Sequence, residues 1–296
     1  MSTGAVKSDL VGSVPRVTPD LPSLEMMDAD TAATVRTLYD DGVAGRTGAF
    51  APEWADMLRE DIEVAYAEAL TRDGGAVGRG TNRHYVEIHP EQMRGWVELV
   101  DHPWVRSVCE AVLGAEYQII ELGFDVPNPG AKDQPWHRDF PMPDETKRTG
   151  RLTSLAFNVT AVDTEEDMGP FEIAPMTQWD LPEGFEHEMF PSQTLYPRFA
   201  GLAVRKYPRR GDISVRSALT LHRGTANTSD TARPVLVLGV DAPGAGNAEH
   251  HDMAVTTGFY ASLPERVRRH LVCPVVDELT PITQKHSIEG LMMGDA

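Results

Sequence analysis

The hydrophobic pattern of this chain changes near residue 117, and that change limits the possible folds more than any other feature. Before it, apolar residues recur at helical spacing; after it come short β-branched runs in which apolar and polar residues alternate. The pattern predicts helices at 30–39, 52–70, 90–100, 103–113 and 263–271, and strands at 117–126, 152–162, 171–174, 201–206, 212–222 and 233–241. Helices followed by many short strands favour a mainly β protein with flanking helices around a barrel or jelly-roll core.

The length and composition are those of one globular protein. The 296 residues are enough for one large core, and a hydrophobic content of 41% with 24% charged residues is ordinary for such proteins. We find no internal repeat and no linker-like segment. We therefore expect a single domain over residues 1–296, with a flexible arm at 1–20 and a β core at about 117–243.

Charge and cysteine content exclude several classes of function. The formal net charge of −18 argues against a nucleic-acid partner, because such binding relies on basic surfaces that neutralise phosphates. The acidity fits either solubility or the steering of a cationic substrate. No apolar run is long enough to cross a bilayer, the N-terminus lacks a secretory signal, and two cysteines suit a reducing compartment. We expect a cytoplasmic protein with a small-molecule partner and no membrane partner; its oligomeric state stays open.

Polar side chains share one face of two predicted strands. Side chains alternate across a strand, so 212–222 places Arg216 on the same face as His222. The strand at 152–162 likewise carries Asn158 on its polar face. A barrel with a lining of small and polar residues encloses a cavity rather than a filled interior.

His137 and Asp139 stand two residues apart, and His222 lies at the end of a predicted strand. Two imidazoles and one carboxylate form the set that holds non-haem Fe(II) while leaving other positions open. Arg233 follows, and its planar fork can bind a carboxylate through two hydrogen bonds. An oxygenase that uses 2-oxoglutarate requires this combination. Each residue alone also fits a structural role, and a second His-x-Asp, at 250–252, is interpreted as solvated surface.

A larger set of motifs resembles a known family. In chain order, the motifs are His102-Pro103 opening a helix that ends at Gly114, Trp136-His137-Arg138-Asp139, Met168-Gly169-Pro170 leading to Pro175, Gly211-Asp212, and His222-Arg223-Gly224-Thr225-Ala226-Asn227 with Arg233. Each is short, but their order and gaps resemble the phytanoyl-CoA dioxygenase family of Fe(II)/2-oxoglutarate oxygenases from about residue 101 to 243. The resemblance implies a double-stranded β-helix core, a jelly-roll or cupin-like fold.

The same resemblance implies roles for individual residues. His137, Asp139 and His222 would bind Fe(II), and Arg233 would hold the distal carboxylate of 2-oxoglutarate, with O2 as the second co-substrate. Relatives that halogenate replace the aspartate with a small residue, so Asp139 disfavours halogenation.

The sequence departs from the family pattern at two places. Pro175-Met176-Thr177-Gln178 stands where the family often has Pro-Gly-Ser-His, and Gly224 stands where it often has a serine. Thr225 is the candidate hydroxyl near the co-substrate carboxylate, and we assign Thr225 and Asn158 to co-substrate binding.

Several residues are candidates for the substrate side of the pocket. Trp136 and Phe140 flank the metal motif, where they either pack in a core or wall the pocket. Arg216 needs a carboxylate from protein, co-substrate or substrate, because an unpaired buried charge is costly. Arg138 points away from its neighbours and is expected to be structural. The segments 74–84 and 141–149 are expected to form a lid.

The sequence therefore predicts an Fe(II)/2-oxoglutarate-dependent dioxygenase that hydroxylates a small metabolite, in a natural-product or amino-acid-derived tailoring step, with release of succinate and CO2. Two alternatives stay open. One is a non-catalytic or sensory jelly-roll protein that keeps the metal. The other is a cupin-type enzyme that does not use 2-oxoglutarate, and Arg233 is the residue that distinguishes it.

Overall fold

The computed structural model describes residues 14–183, 185–187, 189–245 and 251–284. Its helices are α1 (Ala29–Asp41), α2 (Pro52–Ala69), α3 (Trp96–Val100), α4 (Pro103–Leu113), α5 (Asp144–Thr149), α6 (Tyr196–Leu202), α7 (Thr257–Ser262) and α8 (Glu265–Arg268). Its strands are β1 (Val43–Arg46), β2 (Val77–Gly78), β3 (Arg83–Glu87), β4 (Gln118–Pro127), β5 (Ser154–Thr160), β6 (Phe171–Ile173), β7 (Phe185–His187), β8 (Phe190–Pro191), β9 (Val204–Lys206), β10 (Ile213–Ser217), β11 (His222–Gly224), β12 (Val235–Asp241), β13 (Val255–Thr256) and β14 (Val275–Val276).

Two antiparallel sheets form the core. The main sheet has the order β1-β10-β5-β12-β4-β3-β2, and the smaller sheet has the order β11-β6-β9. Helices pack outside the main sheet. The predicted fold class, mainly β with flanking helices around a jelly-roll core, is confirmed.

Strand alternation separates a core face from a cavity face. On β12, Leu236 and Leu238 are buried in the main hydrophobic core, while Val235 and Val237 line the cavity between the sheets. The helices supply the other half of that core through the apolar faces of α1, α2 and α4. The cavity therefore lies on the inner face of the main sheet, where the polar residues are.

Most helix predictions are confirmed within a few residues, and one is wrong. Residues 90–100 do not form one helix: a short 3-10 turn at Pro90–Gln92 is separated from α3. The cause is the extended backbone of Met93, with φ −117° and ψ 107°, followed by Gly95. The predicted helix at 263–271 is also shorter, since α8 covers only Glu265–Arg268.

The predicted strand 212–222 is two strands in different sheets. β10 belongs to the main sheet and β11 to the smaller one, so the chain crosses from one wall of the cavity to the other between Ser217 and His222. The backbone N–H of Ser217 and the hydroxyl of Thr220 both donate to the carbonyl of Gly42, which fixes the crossing. Thr220 is fully buried there and does not line the cavity.

Three strands of the main sheet, β1, β2 and β3, precede the predicted β core. β1 pairs with β10, and β3 pairs with β4, so the sheet takes up chain from residue 43 onward instead of from about 117. The strand predicted at 201–206 is also shortened, because α6 runs to Leu202 before β9 begins. In the described part of the chain, no helix is both long enough and apolar enough to span a membrane.

Candidate functional site

The cavity between the two sheets has a volume of 2160 Å³. Typical small-molecule sites occupy roughly 300–1,000 Å³. The space is therefore large enough for a co-substrate and a substrate together. It is bordered by inward side chains of β3, β4, β5, β10 and β12 on one side and by the smaller sheet on the other.

The two predicted histidine ligands meet at one edge of this cavity. The backbone N–H of each residue donates to the carbonyl of the other, over 3.0 Å from His137 to His222 and 2.9 Å in return. Their ring centroids are 4.4 Å apart. Residues far apart in sequence are thus locked together by backbone hydrogen bonds, independently of any metal.

Hydrogen bonds fix the tautomer of both rings. Nδ1 of His137 lies 2.8 Å from the carbonyl of Pro135, and Nδ1 of His222 lies 2.9 Å from the carbonyl of Thr220. A carbonyl only accepts, so Nδ1 carries the proton and Nε2 keeps a free lone pair. Burial, with a contribution from His222, lowers the pKa of His137 to about 3. A neutral imidazole with a free Nε2 is the form that binds metals.

Asp139 lies beside the histidines and is held by Arg216. Nη2 of Arg216 is 2.9 and 3.0 Å from the two carboxylate oxygens, and Nη1 donates to the side-chain carbonyl of Asn158. The oxygen Oδ1 is also 3.3 Å from Nε2 of His222. Burial opposes ionisation of Asp139, but the Arg216 charge and the histidines outweigh it and hold its pKa below the usual value.

Within the described residues, no three His, Cys, Asp or Glu side chains already converge as a complete metal-ligand set. The donor chemistry nevertheless fits Fe(II), since two neutral Nε2 atoms and one ionised carboxylate lie together at the cavity edge. Arg216 contacts both carboxylate oxygens of Asp139. One oxygen can therefore bind a metal while the other keeps its hydrogen bond to Arg216.

Arg233 lies deeper in the cavity and is almost fully buried, with 3% of its surface exposed. Its Nε donates to the carbonyl of Gly169 at 3.0 Å. Among the described residues, its two Nη atoms have no hydrogen bond and no ion pair. Burial and the nearby charge of Arg83 lower its pKa to about 10. A buried guanidinium whose two Nη atoms are unused, with Asp125 nearby but paired to Arg83, is arranged to receive an anion.

Arg83 fills the place of the missing serine at position 224. A side-chain carbon added to Gly224 would lie 2.4 Å from Nη1 of Arg83 and 2.5 Å from its Cζ. Arg83 is 1% exposed, pairs with Asp125 at 2.7 Å, lines the cavity, and has a buried Nε without a partner. Thr225, the residue predicted to supply a hydroxyl, donates to the carbonyl of Pro170 and faces a separate small cleft.

The remaining predicted residues divide between wall and core. Phe140 lines the cavity, but Trp136 does not: it packs with Phe199 and Leu221 in a second hydrophobic cluster. Arg138 is fully buried below the site and donates to the carbonyl of Asp180, as expected of a structural residue.

The predicted lid is only partly present at the cavity. Of the 141–149 segment, Met142, Asp144 and Lys147 are among the residues that border it. In the 74–84 segment, Arg83 belongs to β3 and is buried, so that residue is part of the cavity wall and not of a mobile lid.

Sequence reasoning missed one polar group in the cavity, formed by Tyr85, Glu121 and His251. The Tyr85 hydroxyl donates to Oε1 of Glu121 at 2.7 Å, and the ring of His251 packs edge-on against Tyr85. The interpretation of 250–252 as solvated surface is wrong for His251, which lines the cavity; His250 lies outside the described residues. Alternation of Glu121 with Gly123 and Asp125 along β4 was the signal that could have located this face.

Comparisons with known proteins agree with this architecture. The family model for phytanoyl-CoA dioxygenase (PhyH) matches residues 38–235. Among solved structures, EctD from S. alaskensis, crystallised with 2-oxoglutarate and 5-hydroxyectoine, is 17% identical with a TM-score of 0.62, covering 77% of this chain and 82% of EctD.

Two proteins of nogalamycin biosynthesis are also similar in fold. The carbocyclase SnoK is 19% identical with a TM-score of 0.56, covering 76% of this chain and 87% of SnoK. The epimerase SnoN, in complex with Fe3+, alpha ketoglutarate and nogalamycin RO, is 21% identical with a TM-score of 0.57, covering 72% and 84%. At these identities the likeness concerns the fold, whereas the family match spans most of the chain. The chain therefore belongs to the phytanoyl-CoA dioxygenase family and is an oxygenase that uses Fe(II) and 2-oxoglutarate.

Proposed function

We propose that this oxygenase hydroxylates a small-molecule metabolite, with His137, Asp139 and His222 as its iron ligands. The observation that carries the proposal is the pair of histidines whose Nδ1 atoms are both tied to backbone carbonyls beside Asp139. Their unprotonated Nε2 atoms are left at the edge of the cavity as neutral metal ligands. When bound, Fe(II) with 2-oxoglutarate and O2 supplies the oxidising chemistry, and the protein supplies orientation and a dry site.

Arg216 and Asn158 orient the carboxylate ligand in this proposal. Arg216 bridges Asn158 and Asp139, and it is 6% exposed, so its charge is mostly removed from bulk water. The contacts with Asp139 and Asn158 occupy both Nη atoms of the guanidinium, leave its buried Nε without a partner among the described residues, and fix the rotamer of the carboxylate. Arg216 is thus assigned to the metal ligand instead of the substrate, and Asn158 acts on the ligand through Arg216.

Arg233 binds the distal carboxylate of 2-oxoglutarate. Its support is the pair of unpartnered Nη atoms, which can form the planar two-bond contact with a carboxylate. Arg83 adds positive charge at the point where the family often has a serine, since its guanidinium occupies the volume above Gly224. The co-substrate would therefore meet a second cation in place of a hydroxyl.

Two results would test this function directly. Purified protein with Fe(II) should convert 2-oxoglutarate to succinate, and the rate should rise when the correct substrate is added. Anaerobic Fe(II) protein titrated with candidate metabolites should change its iron spectrum when a substrate approaches the metal. A wild-type protein that binds iron but never consumes 2-oxoglutarate would contradict the proposal. Product mass then separates hydroxylation, a gain of one oxygen, from ring closure or epimerisation.

A further inference from the structure

The Tyr85–Glu121–His251 group lies in the same cavity as the proposed iron site, at the opposite side of its floor. Glu121 stands across from Gly239 on β12, Gly239 stands across from Ala156 on β5, and Ala156 stands across from Arg216 on β10. Across the sheet, Gly239 and Ala156 lie between Glu121 and Arg216, and these have the two smallest side chains of any residue type. The floor between them is open to a ligand.

Two glycines allow the polar side chains to lean across the sheet. A Cβ on Gly123 would lie 2.7 Å from the Tyr85 hydroxyl, and one on Gly239 would lie 2.5 Å from Oε2 of Glu121. Tyr85 therefore crosses β4 to reach Glu121, and Glu121 crosses β12 in the direction of Ala156. The carboxylate is displaced from its own strand toward the middle of the cavity.

One oxygen of Glu121 is held and the other is free. Oε1 accepts the Tyr85 hydroxyl proton at 2.7 Å, whereas Oε2 has no donor among the described residues. Burial and the Glu121 charge raise the pKa of Tyr85 well above its ordinary value, so Tyr85 stays a donor. The Glu121 side chain is 27% exposed, and that exposure is to the cavity.

His251 presents a second acceptor beside the carboxylate. Its Nδ1 lies 3.2 Å from the carbonyl of Leu122, which places the proton on Nδ1. In the neutral ring, Nε2 is then an acceptor, and it lies 3.6 Å from Oε1 of Glu121, beyond hydrogen-bond distance. The three side chains therefore offer acceptors, and the donor beside them is Arg79, whose buried Nη1 has no partner among the described residues.

Local charge favours a cation at this position. Two carboxylates, Glu121 and Glu87, act on Tyr85, and a single guanidinium, Arg79, lies over its ring at 5.3 Å. Arg79 forms no ion pair with Glu121 among the described residues. An ammonium group has three donors and no acceptor, which matches a site composed of carboxylate and imidazole acceptors.

We propose that Glu121 and His251 bind an ammonium group of the substrate, so that the enzyme oxidises an amine-bearing small molecule. The inference rests on the proposed function, because it uses the same cavity and iron site. Three strand spacings of about 4.8 Å separate the backbones of Glu121 and Arg216, and both side chains reach inward. The ammonium group and the reacting carbon therefore lie at different ends of the substrate.

The test compares two probes of equal length, hexylamine and hexan-1-ol, by calorimetry on the anaerobic Fe(II)/2-oxoglutarate enzyme. A charge-assisted hydrogen bond should make the amine bind about 10- to 100-fold more tightly than the alcohol. Glu121→Gln should abolish that preference, while Asp144→Asn, which removes an exposed carboxylate at the cavity edge, should retain it. Equal binding of the two probes by wild type, or an unchanged preference in Glu121→Gln, would overturn the inference.

Two controls separate the possible failures. Iron and 2-oxoglutarate affinities are measured in wild type and in every variant. A wild-type protein that binds neither iron nor 2-oxoglutarate counts against the proposed function. If both still bind, equal binding of amine and alcohol counts against the ammonium site alone. Tyr85→Phe removes the donor to Oε1 without removing the charge. Tyr85→Phe should therefore keep the preference for the amine. If Tyr85→Phe loses that preference and Glu121→Gln keeps it, the assignment to Glu121 is contradicted.

Discussion

The two sides of the cavity floor hold their charged groups in opposite ways. On the side of the proposed iron site, both Nη atoms of Arg216 donate to Asp139 and Asn158, and its buried Nε is the one atom of the guanidinium without a partner among the described residues. On the other side, Glu121 has one oxygen capped by Tyr85 and the other open to the cavity. The difference teaches that a buried charge marks a ligand-binding position only when its partners leave donors or acceptors unused. By that criterion Arg233 and Glu121 are the proposed ligand-binding groups, and Arg216, whose two Nη atoms are both used, is the proposed positioning group.

The largest expected effect comes from removing an imidazole on the iron side. His137→Ala or His222→Ala should abolish turnover, because too few donors remain to hold the metal in a reactive geometry. His251→Ala, on the other side, should keep full iron content. Metal analysis and succinate formation measure both. Substantial activity in an iron-loaded His137→Ala protein would remove the distinction between the two sides.

Removing Asp139 should expose the charge that it now neutralises. Asp139→Gly is expected to bind iron more weakly and to lose hydroxylation, and Arg216 should then attract a small anion into the vacated place. Added formate or chloride should restore part of the iron affinity, measured by titration. The double variant Asp139→Gly/Arg216→Met should show no such anion effect. Unchanged hydroxylation in Asp139→Gly would contradict the assignment of Asp139 as a metal ligand. Formation of a halogenated product when chloride is added would show that Asp139 normally prevents halide binding.

Arg233→Ala tests whether a buried guanidinium with two unused Nη atoms identifies the co-substrate site. The KM for 2-oxoglutarate should rise about 10- to 100-fold, from the loss of a charge-assisted hydrogen bond. Iron binding should change little, and Arg233→Lys should recover only part of the affinity, because an ammonium lacks the planar fork. A normal KM in Arg233→Ala would shift the assignment to Arg83 or Arg216.

The pH dependence of stability should reveal the neutral histidine on the iron side. The pKa of His137 is about 3 in the fold and about 6.5 in an unfolded chain, so the unfolded state binds more protons between these values. The metal-free protein should therefore lose stability as pH falls from about 6.5 toward 3. Urea midpoints at several pH values measure this, and His137→Gln should lose less. Parallel slopes for the two proteins would show that His137 is not held neutral.

The smallest effect concerns the acidic surface. If the net charge of −18 steers an ammonium substrate toward Glu121, kcat/KM should fall as salt rises, since screening limits the field to about 10 Å at 0.1 M. A matched neutral substrate should show no such trend. A salt-independent kcat/KM for the amine would leave solubility as the role of the acidic surface.

The sequence predicted the fold class and the residues that short motifs carry, for local reasons. His137 and Asp139 are two positions apart, and the alternation of β5, β10 and β12 separates cavity from core faces directly. Contacts across the sheet could not be predicted in this way. That Tyr85 reaches Glu121, or that Arg83 fills the space above Gly224, depends on strand order and register, which no local pattern encodes.

Short strands at the sheet edges were missed for a related reason. β1 contains Gly45 between Ala44 and Arg46 and has no alternation of its own, so only its pairing with β10 makes it a strand. The break between β10 and β11 was missed because apolar and polar residues alternate throughout 212–222. That pattern predicts one continuous strand, whereas the chain changes sheets within it. Tertiary hydrogen bonds to Gly42 decide that break.

The contact between Arg83 and Gly224 limits how this lineage can change. Serine at 224 would require the Arg83 guanidinium to move, since its Cβ would meet that group, and loss of Arg83 alone leaves Asp125 without its ion-pair partner. The two positions are therefore epistatic. Gly224→Ser should therefore destabilise the protein while Arg83 is present and do so less in an Arg83→Ala background.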